Sequence, residues 1–270
     1  MRNPLLNWLF YGHIWIALAA AGLSWQSTFL SSGDATVHAS HYFVFFATLG
    51  VYTLHRLLSY RRAGGQPDGR RYRVVALHPG ISLMIGAGSL LVAISLAFSF
   101  PLRAFWPVVL ALPFTFFYLI PLYPGGRRLR DLPYLKVVWV ALAWTFMTDL
   151  FPAFSIHARP VEPVLRFFFT LSVALLFDLR DVDLDRRQGV RTLAGAHPGR
   201  NRALAMILLL ICALVSFLRY QPATGLGLAI AYGMAMGIAR WTSAGRGEDF
   251  FATIVNGILL LPPLGLLLLG

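Results

Sequence analysis

The chain has 270 residues, is 57% hydrophobic, and only 13% of it is Asp, Glu, Lys or Arg. A soluble domain carries about 25% charged residues, so this chain lacks the polar surface of a water-soluble fold, and its apolar content excludes disorder. Its single cysteine, Cys212, rules out an internal disulfide and a CxxC metal or redox pair. The formal charge is +12, from 11 acids and 23 basic residues of which Lys136 is the one lysine. In so apolar a chain that excess points to cytoplasmic membrane loops and not to nucleic acid.

A membrane-crossing helix takes about 20 mostly apolar residues. Nine segments meet that need: 11–30, 41–60, 80–100, 104–123, 133–152, 162–180, 202–218, 222–240 and 250–269. The sixth is uncharged only from Phe167 to Phe177 before Asp178 interrupts it, as in a helix end that faces protein or water. With the N-terminus in the cytoplasm, 19 of the 23 basic residues fall on the inner side; Arg103, Arg159, Arg166 and Arg219 fall outside. That is the bias of the positive-inside rule. The first segment is too long for a signal peptide and reads as the first anchor. The expectation is an all-α, single membrane domain over 1–270, in a bacterial inner (cytoplasmic) membrane. The inner loops 61–79, 124–132 and 181–201 are the charged ones, so water-facing chemistry is expected on the cytoplasmic side.

Four of the 11 acids lie between Asp178 and Asp185. Asp178, Asp181 and Asp185 are spaced i, i+3, i+7, which at about 100° per residue gathers them within an arc of about 60°; Asp183 points away. Stacked carboxylates repel one another unless a cation neutralises them. An oxygen-only ligand set favours Mg²⁺, which keeps waters and bridges to phosphates. The alternative is a solvated charged face paired with Arg180, Arg186 and Arg187.

The run Asp178 to Leu193, with its D-x-x-D-x-x-x-D, Arg186-Arg187, Gly189 and Thr192-Leu193, resembles the second aspartate-rich motif of the UbiA superfamily of intramembrane prenyltransferases. The resemblance implies nine transmembrane helices around a cavity open to the cytoplasmic side. It also implies Mg²⁺ on two Asp-rich motifs, gripping the diphosphate of an isoprenoid donor. The loop Tyr118 to Lys136, with Arg127, Arg128 and Arg130, is similar to the family's basic loop after helix four.

The family's first motif, an Asn/Asp-rich run after helix two, is absent. The windows 52–64 and 177–189 share Leu, Arg, Arg and Gly at four of 13 positions, at an offset of 125 residues, which fits an internal repeat. Under that alignment Thr53, Arg56 and Tyr60 replace Asp178, Asp181 and Asp185. Arg56 then either takes a metal ion's place and forks onto the diphosphate, or pairs with Asp181 and shuts metal out. A third option is that it snorkels as an interfacial anchor.

The expected site therefore has Asp178, Asp181 and Arg56 as catalytic residues and Asp178, Asp181 and Asp185 as Mg²⁺ ligands, holding one ion or two. Arg128, Arg130, Lys136 and Tyr60 are expected on the diphosphate. Asp149 reads as an outer helix-end cap, His13 as polar trim, His55 as off the cavity face, and Asp249 with Asn256 as an inner polar pair. Gly86, Gly88, Gly225, Gly227, Gly233 and Gly237 suit close helix packing. The function implied is isoprenoid transfer from a prenyl diphosphate to an acceptor within the membrane. The alternative is a non-catalytic relative that binds a lipid or acts as a scaffold. A transporter has little support, because most spans carry no mid-span charge.

Overall fold

A computed structural model describes residues 3–62, 69–119, 132–187 and 189–270. Among these residues the fold is helical and contains no strand. In chain order the helices are α1 (Pro4–Tyr11), α2 (Ile14–Ser32), α3 (Ala39–Arg62), α4 (Arg73–Leu77), α5 (Pro79–Ala97), α6 (Trp106–Leu119) and α7 (Lys136–Thr145). They continue with α8 (Phe151–Ser155), α9 (Pro163–Arg187), α10 (Leu193–Ala196), α11 (Pro198–Arg219), α12 (Pro222–Trp241), α13 (Glu248–Phe250) and α14 (Leu261–Leu269). Two wide π-type turns, Phe146–Leu150 and Phe251–Val255, join α7 to α8 and extend α13.

Six helical stretches are long and apolar enough to cross a membrane: Ile14–Ser32, Pro79–Ala97, Lys136–Ser155, Pro198–Arg219, Pro222–Trp241 and Glu248–Leu269. The α3 and α9 helices, at 24 and 25 residues, are longer still. Their C-terminal ends carry the arginines and aspartates that lower their average hydropathy. The apolar stretch Leu102–Phe117 is shorter.

The distribution of side chains is that of a protein in lipid. Met84, Phe98 and Leu218 are 68%, 88% and 80% exposed, while Gln26, Ser27, Asp149 and Arg166 are buried. With hydrocarbon outside, apolar side chains gain nothing by hiding and polar ones must find each other inside. The α9 helix runs through the middle. Its Phe169, Leu176 and Leu179 share one core with Leu23, Leu209, Leu228, Phe251 and Ile258 from α2, α11, α12 and the segment after α13. A smaller aromatic core joins Phe43 to Phe100, Phe105 and Phe151. The α12 and α14 helices touch backbone to backbone: a Cβ on Gly227 would lie 2.5 Å from the Gly265 carbonyl oxygen. Gly86 and Gly225 are similarly tight, whereas Gly88, Gly233 and Gly237 face open space.

Asp149 does not cap a helix end. It is buried within the π-type turn, where its Oδ1 accepts the Ser27 hydroxyl at 2.6 Å. Nearby, Arg166 donates to the Leu23 carbonyl and Ser27 Oγ, both at 3.0 Å, and to Gln26 Oε1 at 3.3 Å. Arg166, counted above among the outer charges, thus faces the bundle. Glu162, in the loop ahead of α9, accepts from Gln26 Nε2 at 3.3 Å.

Candidate functional site

The last three turns of α9 carry Asp178, Asp181 and Asp185 on one face, as their spacing requires. A helix C-terminus is the negative end of the macrodipole, so three carboxylates there need cations close by. The structure supplies them from three directions. Lys136, the first residue of α7, sets its Nζ 2.7 Å from Asp185 Oδ2, 2.9 Å from Asp178 Oδ1 and 3.7 Å from Asp181 Oδ2. Arg180 lays its guanidinium along its neighbour Asp181, with Nε 3.0 Å from Oδ1 and a second nitrogen 3.3 Å from Oδ2. Arg71, in the short 3-10 turn Arg70–Tyr72, reaches Asp181 Oδ1 at 3.4 Å.

The centre of the cluster is buried, and its Arg71 and Arg180 edge is partly exposed. Asp185, Asp178 and Lys136 are 1%, 4% and 6% exposed. By contrast Asp183 lies in solvent, 3.6 Å from Arg186. Lys136 sits at the positive end of α7, where a cation is disfavoured; its stabilisation comes from the α9 carboxylates.

A second layer fixes Arg71. Its Nε is 3.5 Å from Glu248 Oε1, and its backbone N–H donates to Glu248 Oε2 at 3.1 Å. Glu248 opens α13 and presses on Gly69, whose φ of 92° and lack of a Cβ admit the carboxylate. Next to it Asp249 accepts from Arg70 at 2.5 Å and from the Tyr11 hydroxyl. The C-terminal ends of α1 and α9, the start of α13 and the Arg70–Tyr72 turn are thereby tied together by polar contacts.

The sequence-predicted residues divide as follows. Asp178, Asp181, Asp185 and Lys136 converge. Arg56 does not pair with Asp181. Its guanidinium carbon lies 5.0 Å from the centre of the Tyr72 ring, and its Nε finds no hydrogen-bond partner among the described residues. Tyr60 meets the other side of the same neighbourhood, with ring centres 6.4 Å from Tyr72. Thr53 is buried one turn deeper, its hydroxyl 3.5 Å from His13 Nδ1. The cation expected on Asp181 is thus Arg71 together with Arg180, while Arg56 stands behind them on Tyr72. Arg128 and Arg130 lie outside the described residues. Asn256 donates to the Ala252 carbonyl at 3.2 Å, so it and Asp249 serve different partners. Sequence reasoning missed Arg71 and Glu248. The Arg70-Arg71 doublet had been absorbed into the inner-loop charge count.

Beside Phe177, the residue before the aspartate run, a cavity of about 60 Å³ opens among apolar walls including Tyr52, Trp144, Val173 and Ala174. The Trp144 indole N–H donates to the Tyr52 hydroxyl at 3.2 Å, bracing two of those walls. Phe177 thus stands between the charged cluster, which begins at the next residue, and a small apolar cavity whose volume is well below the roughly 300 Å³ of a typical ligand pocket.

Mg²⁺ requires oxygens at about 2.0–2.1 Å in near-octahedral array. Here the Lys136 ammonium lies against one oxygen each of Asp178 and Asp185, and among the described residues no group of three or more His, Cys, Asp or Glu side chains is arranged to hold a metal ion. With Lys136 in place the residues do not fit a divalent ion. Removing one partner of a buried ion pair costs about 3–5 kcal/mol. Asp185→Asn is therefore expected to destabilise the protein by about that amount, while Asp183→Asn, at an exposed site, stays within about 0.5 kcal/mol. Chemical unfolding of the two variants in detergent distinguishes this cluster from a solvated charge run, for which both would be neutral.

No family model matches the chain, and no curated protein matches it in sequence. Solved structures do match. A UbiA homolog from Archaeoglobus fulgidus bound to GPP and Mg²⁺ is 15% identical, with 97% of this chain and 99% of that one covered at a TM-score of 0.67. The same homolog bound to DMAPP and Mg²⁺ gives 15% identity, 99% of both chains and a TM-score of 0.66. A structure reported for digeranylgeranylglyceryl phosphate synthase gives 14% identity, 98% of both chains and 0.59. Over nearly its whole length the chain has the fold of the UbiA homologs.

Proposed function

We propose that the chain is a divergent member of the UbiA superfamily, a single membrane domain with nine crossings and a cytoplasmic N-terminus. In this reading it transfers an isoprenoid group from its diphosphate to an acceptor in the membrane. The observation that carries the reading is the meeting of Asp178, Asp181 and Asp185 with Lys136, Arg71 and Arg180 beside an aromatic-walled chamber. The fold around it is one in which a neighbour holds GPP.

The donor's diphosphate lies at the inner end of α9, with its hydrocarbon tail toward Tyr52, Trp144 and Phe177. Arg71, Arg180 and Lys136 face the diphosphate oxygens, and Arg56 approaches from Tyr72. The aspartates act as positioning groups that hold these cations ready. When the allylic C–O bond breaks, its electron pair stays on the diphosphate oxygen, where fixed cations stabilise the new charge. The allylic cation is left against aromatic faces, which attract it, in a chamber that excludes water. The acceptor's nucleophilic atom then bonds to the allylic carbon and releases its proton. Mg²⁺, which the Archaeoglobus homolog holds, would here meet the Lys136 ammonium, which lies against one oxygen each of Asp178 and Asp185.

One observation favours a second reading, in which the protein binds a prenyl lipid without turning it over. Arg56, not an acid, stands on α3 where the first motif would be, and the α9 carboxylates are already matched by cations. Purified protein in nanodiscs, incubated with geranyl or dimethylallyl diphosphate and a mixture of aromatic and lipid acceptors, separates the two. Transfer predicts diphosphate release that falls about 100-fold or more in Arg71→Ala, the scale of losing a transition-state contact. Binding without release in the wild type selects the second reading. Neither binding nor release overturns both.

A further inference from the structure

Three carboxylates on one helical face ordinarily call for a multivalent cation. Here the cation among them is an ammonium. Lys136 Nζ lies within 4 Å of all three, closest to Asp185 and Asp178 at 2.7 and 2.9 Å. The outer edge of Asp181 is covered by Arg180 and Arg71 at 3.0 and 3.4 Å. A divalent ion bound to the same oxygens at about 2.0–2.1 Å would press against the ammonium in a buried setting where like charges repel strongly. The lysine cannot withdraw along its own helix without leaving a charge at the positive end of α7 with no carboxylate opposite.

We propose that Lys136 is a built-in replacement for a divalent ion, so that without a prenyl donor the Asp178–Asp181–Asp185 face does not bind Mg²⁺ or Mn²⁺. The inference takes its meaning from the prenyl-diphosphate reading but is measured with no donor present, so the two fail separately. It also explains how three aspartates persist on one face opposite an α3 that contributes no acid.

The test is a Mn²⁺ titration of the full chain in nanodiscs, followed by electron paramagnetic resonance. The wild type is expected to leave the spectrum of free Mn²⁺ unchanged. Lys136→Met vacates the cation position, and Mn²⁺ affinity is expected to rise by about 10-fold or more, the size of effect when one close charge is removed from a coupled set. The gain is expected to vanish again in Lys136→Met combined with Asp178→Asn. Added Mn²⁺ is expected to raise the melting temperature of Lys136→Met and leave that of the wild type unmoved. If Lys136→Met does not fold, the wild type alone decides. Bound Mn²⁺ in the wild type that disappears in Asp178→Asn overturns the proposal; a free-ion spectrum upholds it. A folded Lys136→Met that binds Mn²⁺ no better than the wild type also overturns it.

Discussion

One end of this helical bundle is organised by one interaction, the ammonium of Lys136 enclosed by carboxylates of α9. Each partner is disfavoured where it stands. The lysine lies at the positive end of α7 and the aspartates near the negative end of α9, and all are withdrawn from water. Together they satisfy one another and fix the distance between the two helices. From Asp181 the network passes through Arg71 to Glu248, so the start of α13 and the Arg70–Tyr72 turn take their places from the same charges.

That arrangement separates the two ends of the bundle. At one end the charged groups of α7, α9 and the Arg70–Tyr72 turn meet, with a small apolar cavity of about 60 Å³ beside Phe177. At the other end Arg166 is consumed by the Leu23 carbonyl, Ser27 and Gln26. The outer cluster stitches α2 to α9, and its groups are spent on one another.

Much of this was legible in the residues. The aspartate face followed from i, i+3, i+7 spacing, and the lone lysine stood out in an arginine-rich chain. What escaped was pairing across distance in the chain. Lys136 and Asp185 are 49 residues apart, and Arg71 and Asp181 are 110 apart; only the packing of α7 on α9 and the course of the Arg70–Tyr72 turn bring them together. Arg71 was also masked by its company, since a positive-inside count explains every inner arginine equally well. Asp149 was misread for a related reason. Sequence position put it near the end of a span, but its helical phase turns it toward the bundle and onto Ser27.

Arg56 shows how an expectation can identify a position and misassign its partner. The comparison of 52–64 with 177–189 pointed to α3 as the element facing the aspartates. Arg56 does approach that region, yet it rests on Tyr72 and leaves Asp181 to Arg71 and Arg180. The most direct measurement of the central claim is an experimental density map of the protein in nanodiscs with geranyl diphosphate bound. The account predicts diphosphate density at the inner end of α9, in contact with Arg71, Arg180 and Lys136, and a tail directed toward Trp144. Density at the outer cluster around Arg166, or no density at the inner end with donor in excess, would contradict it.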